Sequence, residues 1–368
     1  MELELSEEQG FFLETTRRFL AAEAPMPVVR SLETEPAGFA VDYWRRGAEL
    51  GWTSMLVPEA DGGGCLSEHG LLDLVLIAEE MGRRVSPGPL VPVNLVATAV
   101  AAGGTAEQKA AVLPGLLSGD QVAAWTGPAL VNAAATSDGF VLTGTASPVE
   151  AGAQARHLLV AAHTGDGPTH LLVPVDAPGV TVTSLGGLDL VRRFAEVRFE
   201  GATVPADAVV GSAGHAADEI ERLLQIATVL MCAEATGVAD RCFEMTLEYL
   251  ADRYSFGRPL ASYQALKHRV ADDKVHLEAC HATVTAAARA VAAGAPDAGE
   301  LASVAKAWVG PHVTELLQDC VQLHGGIGVT WEHDLHLYLR RATVNRMAYG
   351  APEWHADRIA TIELGRAS

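Results

Sequence analysis

Between about Val122 and Val210 the chain changes period, and that change narrows the folds open to it. Phe140-Val-Leu, His157-Leu-Leu-Val-Ala-Ala, His170-Leu-Leu-Val-Pro-Val, Val180-Thr-Val-Thr and Ala195-Glu-Val-Arg-Phe are short β-type runs separated by Gly, Pro and Asp turns. Both flanks have helical texture. Ser6-Glu-Glu-Gln9 is a capping-box pattern that opens a helix carrying Phe11, Phe12, Phe19 and Leu20. Further helices are predicted over 43–50, 71–84 and, behind Thr105-Ala-Glu-Gln108, 109–117. After Gly214 the helical pattern returns over 217–252, 263–292, 300–323 and 335–347, with a short helix after Pro352. The first of these carries Leu223, Leu224, Val229, Leu230, Met231, Val238 and Phe243 on nearly all sides, as the middle helix of a bundle does. In the second, Leu266, Val270, Leu277, Cys280 and Val284 form one stripe, which is core or interface. The expectation is an α+β multi-domain chain: an α-helical domain over 1–120, a β-barrel or sandwich over 121–212, and a helical domain over 213–368.

A chain of 368 residues has room for two or three domains. Its net charge of −20 argues against nucleic acid and anionic membrane surfaces as partners. Five scattered cysteines, Cys65, Cys232, Cys242, Cys280 and Cys320, with no Cys-x-x-Cys, read as reduced core thiols of a cytoplasmic protein. Met1-Glu-Leu-Glu-Leu-Ser has neither the basic start nor the apolar core of a signal peptide. The apolar stretch 223–235 is interrupted by Gln225 and Glu234, so no membrane span is expected.

Two segments carry chemistry. Gln322-Leu-His-Gly-Gly-Ile-Gly follows a helical run, and its glycines either let backbone N–H groups approach an anionic ligand or simply cap a helix. Arg253-Tyr-Ser-Phe-Gly-Arg-Pro-Leu follows another, where Arg253 serves either a phosphate or the terminal carbonyls of its helix. Together, 253–272 and 322–341 closely resemble the C-terminal domain of the acyl-CoA dehydrogenase family. The resemblance implies an α-helical, β, α-helical fold ending in a four-helix dimerisation bundle. It also implies that these segments hold the ADP half of an FAD whose ring lies in the neighbouring subunit. Arg253 would pair with the pyrophosphate, Phe256 and Gln264 would line the adenosine, and Gln322, Gly325 and Gly326 would lie along it.

Elsewhere the sequence departs from that family. The loop Thr-Glu-Pro-(x2)-Gly-Ser-Asp, which contacts flavin and acyl-CoA, corresponds here to Trp125-Thr126-Gly127-Pro128 and a shortened stretch beginning at Ala129. A Lys-x-Trp-Ile-Thr/Ser pattern that packs on the flavin falls on Ala146-Ser147-Pro148-Val149-Glu150, where Pro148 has no aromatic ring and Glu150 would bring negative charge toward the flavin. The base is replaced as well. α,β-Desaturation needs a carboxylate within reach of the substrate's α-proton, and Tyr349 occupies the position of that glutamate, with Ala351 replacing a flavin-contacting threonine. An unperturbed tyrosine, with pKa near 10, is a poor base at neutral pH. The alternative position of the family's glutamate, on the helix preceding Arg253, falls on Ala227; Glu221, Glu234 and Glu353 are the carboxylates left as candidates.

Groups serving a flavin in the same chain are lost, and those serving a partner's flavin remain. The pattern resembles the non-catalytic, degenerate subunit of heteromeric actinobacterial acyl-CoA dehydrogenases. It implies no catalytic residue in this chain, an FAD shared with a competent partner subunit in a heterodimer or α2β2 heterotetramer, and acyl-CoA held mainly by that partner. Analogy with heteromeric relatives points to a bulky, sterol side-chain CoA. Two alternatives stay open: a homodimeric dehydrogenase with a relocated base, and a flavin-free binding or scaffold protein. His324, His333 and His336 are spaced by nine and three without a helix-borne ligand pair, and no metal site is expected.

Overall fold

The computed structural model describes residues 5–67, 69–128 and 130–367. The sequence readings at Met1 to Glu4 and at Ala129 lie outside them. Along the chain the order is helices, then a sheet, then helices. Contacts divide it into two compact units, one built from the residues up to Gln9 with 31–74 and 87–227, the other from 10–30, 75–86 and 228–368.

The helices of the first stretch are α1 (Glu7–Glu23), α2 (Met26–Ser31), α3 (Val41–Glu49), α4 (Gly70–Arg83), α5 (Leu90–Gly103) and α6 (Ala106–Leu117). Both capping boxes form. The Ser6 N–H donates to Gln9 Oε1 (3.2 Å) and the Gln9 N–H to Ser6 Oγ (3.1 Å); Thr105 and Gln108 make the same reciprocal pair at the start of α6. Helix α5 is buried from Leu90 to Ala101, so no amphipathic period marks it in the sequence. It packs on α6, and Asn94 Nδ2 donates to the carbonyls of Trp52 and Leu90, both at 2.9 Å.

The strands are β1 (Ala123–Trp125), β2 (Leu130–Ala135), β3 (Gly139–Glu150), β4 (His157–Thr164), β5 (Gly167–Pro174), β6 (Val180–Leu185), β7 (Phe194–Pro205) and β8 (Val209–Val210). They pair as one eight-stranded mixed sheet in the order β6-β7-β3-β2-β4-β5-β8, with β1 parallel to β4. Strand β2 stands where the sequence suggests only a shortened loop; its Asn-Ala-Ala-Ala run has weak strand propensity and is held by pairing with β3 on one side and β4 on the other. Val131, Leu142, Leu158, Val160, Leu171, Val197 and Phe199 are among the side chains of this unit's core.

The second unit is built on α7 (Ala217–Asp252) from Thr228 onward, α8 (Gln264–Ala292), α9 (Ala298–His324), α10 (Leu335–Met347) and α11 (Pro352–Ala367), with β9 (Tyr254–Ser255) and β10 (Arg258–Pro259) forming a small hairpin. Helix α9 packs against α8, α10 and α11. α4 and α7 cross at backbone contact: a Cβ on Gly82 would lie 2.0 Å from the Glu234 carbonyl oxygen, and one on Gly237 would lie 2.0 Å from that of Glu79, so neither site admits a side chain. Among the described residues, α7 is long and apolar enough to cross a membrane, but 89% of its apolar window is buried, as in the core helix of a globular protein. Cys232, Cys242, Cys280 and Cys320 are buried free thiols, and Cys65 is an exposed one. Burial pushes Cys232 up to about 11 and Cys280 and Cys320 up to about 12, so these thiols stay protonated and unreactive at neutral pH.

A charged cluster ties three helices of this unit together. Arg83 Nη2 of α4 lies 2.6 and 2.7 Å from the carboxylate oxygens of Glu244 on α7. His281 of α8 stands 3.1 Å from Asp240 and 3.5 Å from Glu79. Burial disfavours the imidazolium, but hydrogen bonds and charge from these two carboxylates outweigh it and raise His281 to about 10. A pKa raised above its unfolded value near 6.5 contributes stability that is complete below pH 6.5 and lost as pH rises through about 10. The urea midpoint is therefore expected to fall between pH 7 and pH 10, and His281→Gln to remove most of that slope; an unchanged slope in the variant would place the titration elsewhere.

Candidate functional site

Arg253 follows the last turn of α7, and the chain then makes the β9–β10 hairpin, turning at Phe256 and Gly257. Both turn residues have positive φ, 51° and 81°. An aromatic residue is uncommon there, and the Phe256 side chain is 97% exposed. Three contacts brace the turn: the Leu260 N–H donates to the Arg253 carbonyl (2.8 Å), Tyr263 Oη to the Ser255 carbonyl (2.8 Å), and the Arg258 guanidinium lies 3.9 Å from the Tyr263 ring centre. Among the described residues the exposed Arg253 guanidinium has no ion pair or hydrogen bond. Gln264, the first residue of α8, is also exposed.

Helix α9 ends at His324, and Gly325 takes φ 64° and ψ −139°, a conformation open to glycine, while its N–H donates to the Gln322 carbonyl. The cap reading of this motif therefore holds as local structure. It leaves the approach free: a Cβ on Gly325 or Gly326 would meet nothing within 4 Å, whereas one on Gly328 would lie 2.6 Å from the Val321 carbonyl oxygen. Only Gly328 is thus demanded by packing. His324 stacks on Tyr249 of α7 at 4.5 Å and 23°, and its Nδ1 donates to the Cys320 carbonyl at 2.8 Å. That stack brings the ends of α7 and α9 together, so the hairpin and the glycine turn leave the helical unit at the same end. An unpaired guanidinium, two exposed amide side chains, an exposed aromatic ring and open glycine backbone are groups that suit phosphate oxygens and an adenine ring.

Tyr349 lies elsewhere. It occupies the turn between α10 and α11 with φ 57°, followed by Gly350 at φ 107°, where a Cβ would lie 2.8 Å from both the His355 and Trp354 rings. Lys306, buried in α9, donates to the Asn345 carbonyl (2.5 Å) and the Ala348 carbonyl (2.7 Å), setting a cation at the C-terminus of α10. Buried His355 donates from Nε2 to the Tyr349 carbonyl (3.2 Å), and its Nδ1 lies 3.2 Å from Ser303 Oγ. Burial lowers His355 to about 4, so it is neutral at physiological pH. Lys306 and His324 are eighteen residues apart on α9, which places the Tyr349 turn about 27 Å along that helix from the glycine turn. The residues proposed from sequence to contact cofactor are thus grouped at one end of α9, and Tyr349 lies far from them in the same chain.

The candidate replacement carboxylates are engaged. Glu234 is buried, with Oε1 2.6 Å from Arg341 Nη1 and Oε2 accepting from Asn345 Nδ2 at 2.9 Å. Glu221 accepts from Gln225 at 2.6 Å, and Glu353 stands 3.3 Å from Arg346 on the surface. Ala227 is fully buried. In the sheet unit, Thr126 Oγ1 accepts from the Ala161 N–H (3.1 Å) and donates to the Gly127 carbonyl (3.2 Å), so its hydroxyl is used in fixing β1 against β4. Pro148 sits at a break in register between β3 and β7, where a residue without an N–H is tolerated. The expected field of Glu150 on a flavin is corrected: Glu150 and Arg192 are both buried and lie 3.2 Å apart, so the charge is neutralised inside the unit. Sequence reading missed Lys306, and it takes Arg341 for an interface or helix-surface group, whereas Arg341 is 1% exposed and paired with Glu234. A lysine within Ala305-Lys306-Ala307-Trp308-Val309 and a glutamate inside an apolar α7 are the signals that buried pairing was needed.

The family's N-terminal domain, described as "Acyl-CoA dehydrogenase, N-terminal domain", matches residues 6–120, and its C-terminal domain matches residues 218–363. The chain is 29% identical to acyl-CoA dehydrogenase IpdE2 of Mycolicibacterium smegmatis, over 96% of this chain and 98% of that protein. It is 31% identical to acyl-CoA dehydrogenase FadE27 of Mycobacterium tuberculosis, over 90% of each. Among solved structures, the Mycobacterium tuberculosis ChsE4–ChsE5 complex matches with a TM-score of 0.88 and 28% identity over 98% of both chains. A variant of the steroid ACAD Tcur3481–Tcur3483 matches with a TM-score of 0.87 and 30% identity, over 98% of this chain and 99% of that one. The chain belongs to the acyl-CoA dehydrogenase family, whose members use FAD.

Removing one partner of a buried pair leaves an uncompensated charge. Arg341→Met is expected to destabilise the protein by about 3–5 kcal/mol, read from urea unfolding at pH 7, whereas Glu353→Gln on the surface is expected to change it by less than about 0.5 kcal/mol.

Proposed function

We propose that this chain is the non-catalytic subunit of a heteromeric FAD-dependent acyl-CoA dehydrogenase, completing the FAD site of a competent partner for α,β-desaturation of an acyl-CoA thioester. The observation that carries the reading is the state of the base. Tyr349 stands at the glutamate position, and Glu234, the most buried of the candidate replacements, is fully committed to Arg341 and Asn345. A carboxylate whose two oxygens are both taken by buried donors has no proton-transfer geometry to offer. The relocated-base alternative loses Glu234, one of its three candidates, accordingly.

Arg253, Phe256, Gln264, Gln322, Gly325 and Gly326 would hold the adenosine diphosphate half of FAD for the partner. Their exposure, the unpaired guanidinium and the open space before the two glycines support that role. The separation of about 27 Å along α9 between this end and the Tyr349 turn agrees with a site that serves another subunit's chemistry. FAD would supply hydride acceptance there; this chain's contribution is binding and orientation. With a net charge of −20, the chain is poorly suited to hold polyanionic CoA, so the substrate would sit mainly on the partner. The assembly would be a cytoplasmic heterodimer or α2β2 heterotetramer. The match to the ChsE4–ChsE5 complex and to a steroid ACAD supports both a two-chain assembly and a bulky sterol side-chain CoA as substrate.

The visible absorbance of the protein purified alone, and again with a co-expressed competent acyl-CoA dehydrogenase chain, tests this. Flavin is expected to be absent from the lone chain and present at about one per pair of chains in the complex; stoichiometric flavin on the lone chain would overturn the proposal. In the complex, Arg253→Ala is expected to lower FAD affinity roughly tenfold or more, the loss of one charge-assisted pair, with the lone chain still folded by circular dichroism. Tyr349→Phe is expected to leave kcat within about twofold, since no transition-state contact is removed.

A further inference from the structure

Within the second unit a cavity of about 350 Å3 opens among the ends of α1 and α4, helix α2, the second half of α7 and the start of α10. Five of the side chains that line it are charged: Glu80, Arg83, Arg84, Arg241 and Asp334. The whole chain carries 46 Asp and Glu against 26 Lys and Arg, and along this wall that balance is reversed. Both carboxylates are also neutralised by residues outside the lining: Arg17 Nε lies 2.8 Å from Glu80, and Arg30 Nη2 lies 2.8 Å from Asp334. Little of their charge is left for the arginines of the wall.

The three guanidiniums differ in what they already hold. Arg83 is spent on Glu244, with Nη2 2.6 and 2.7 Å from its two oxygens. Arg241 reaches Glu244 at 3.3 Å and Glu248 at 3.5 Å, long for charge-assisted contacts, and so keeps donors to share. Arg84 follows the last turn of α4 and is partly buried, yet among the described residues its side chain makes no hydrogen bond and no ion pair. A guanidinium drawn out of water without an acceptor is costly. Its charge is felt inside the cavity: burial drives the Tyr338 hydroxyl well above its ordinary range, and Arg241 and Arg84 both draw it back. Tyr338 is itself a lining residue, and its hydroxyl donates to the Arg83 carbonyl at 3.1 Å.

We propose that this cavity binds a small soluble phosphate monoester, with the phosphate held by Arg84 and Arg241 and the organic part lying against Met26 and Met245. The volume falls at the lower end of ligand pockets, which run from about 300 to 1,000 Å3. A phosphate dianion presents three oxygens and can take two guanidiniums at once, whereas a carboxylate is saturated by the fork of one. Five charged side chains leave a long acyl chain no apolar bed, but the two flexible methionines suit a short organic body of variable shape. All the lining residues belong to this chain, so the site does not depend on a partner subunit.

The test is calorimetric titration of the purified full chain at pH 8, where the phosphate is a dianion, with glycerol 3-phosphate as probe and glycerol and succinate as controls. Glycerol 3-phosphate is expected to bind saturably at one per chain, with glycerol silent and succinate at least tenfold weaker. Arg84→Gln is expected to weaken glycerol 3-phosphate at least tenfold, and Arg84→Lys, which keeps the charge but loses the fork, by less. Met245→Trp leaves every arginine in place and fills the cavity, so it is expected to abolish binding and decides the matter if Arg84→Gln fails to fold by circular dichroism. Absence of saturable binding by the wild type, succinate binding as tightly as glycerol 3-phosphate, or unchanged affinity in a folded Arg84→Gln or Met245→Trp would each overturn the proposal.

Discussion

The second unit is organised around one buried ion pair, Glu234 with Arg341. Both side chains are almost wholly removed from solvent, and a charge so placed is tolerated only when every donor and acceptor near it is satisfied. Arg341 also donates to the Ser86 carbonyl (3.1 Å), and Asn345 takes the second oxygen of Glu234. The three contacts fix α10 against α7 and against the segment after α4. Gly82 and Gly237 allow the close crossing of α4 and α7 that brings Ser86 within reach. Once α10 is fixed, its C-terminal carbonyls at Asn345 and Ala348 meet Lys306 of α9, and the turn at Tyr349 and Gly350 closes over His355. The turn at Tyr349 is therefore positioned by electrostatics several residues away from it.

This arrangement separates scaffolding from chemistry. The backbone around position 349 is held by Lys306, His355 and Gly350. At the other end of α9, the hairpin and glycine turn keep side chains and backbone directed outward. Phe256, exposed and in a left-handed conformation, is costly in an isolated chain and is consistent with a surface meant to be covered.

Much of this was legible in the sequence where the controlling interactions are local. The capping box at Ser6, the helix start behind Thr105 and the long apolar helix from Ala217 depend on residues a few positions apart. Helix α5 was not legible because it is buried all round and shows no period, and β2 was not because its alanines owe their strand geometry to β3 and β4. Glu150 is instructive in the same way. As a letter in a motif it suggests a charge beside a flavin; in the fold it is spent on Arg192, forty-two residues later.

By itself, then, the sequence determined the helix, sheet, helix order, the family, and the identities of the glycines, the arginine and the tyrosine at 349 that the hairpin and turns carry, all of which are identities or short-range patterns. Tertiary structure alone decided which charges are used up internally, as with Glu234 and Glu150, and which are left over, as with Arg253. The reason is physical: whether a charge is available depends on the distance to its counter-charge and on its burial, and both are set by residues that the chain brings together from far apart.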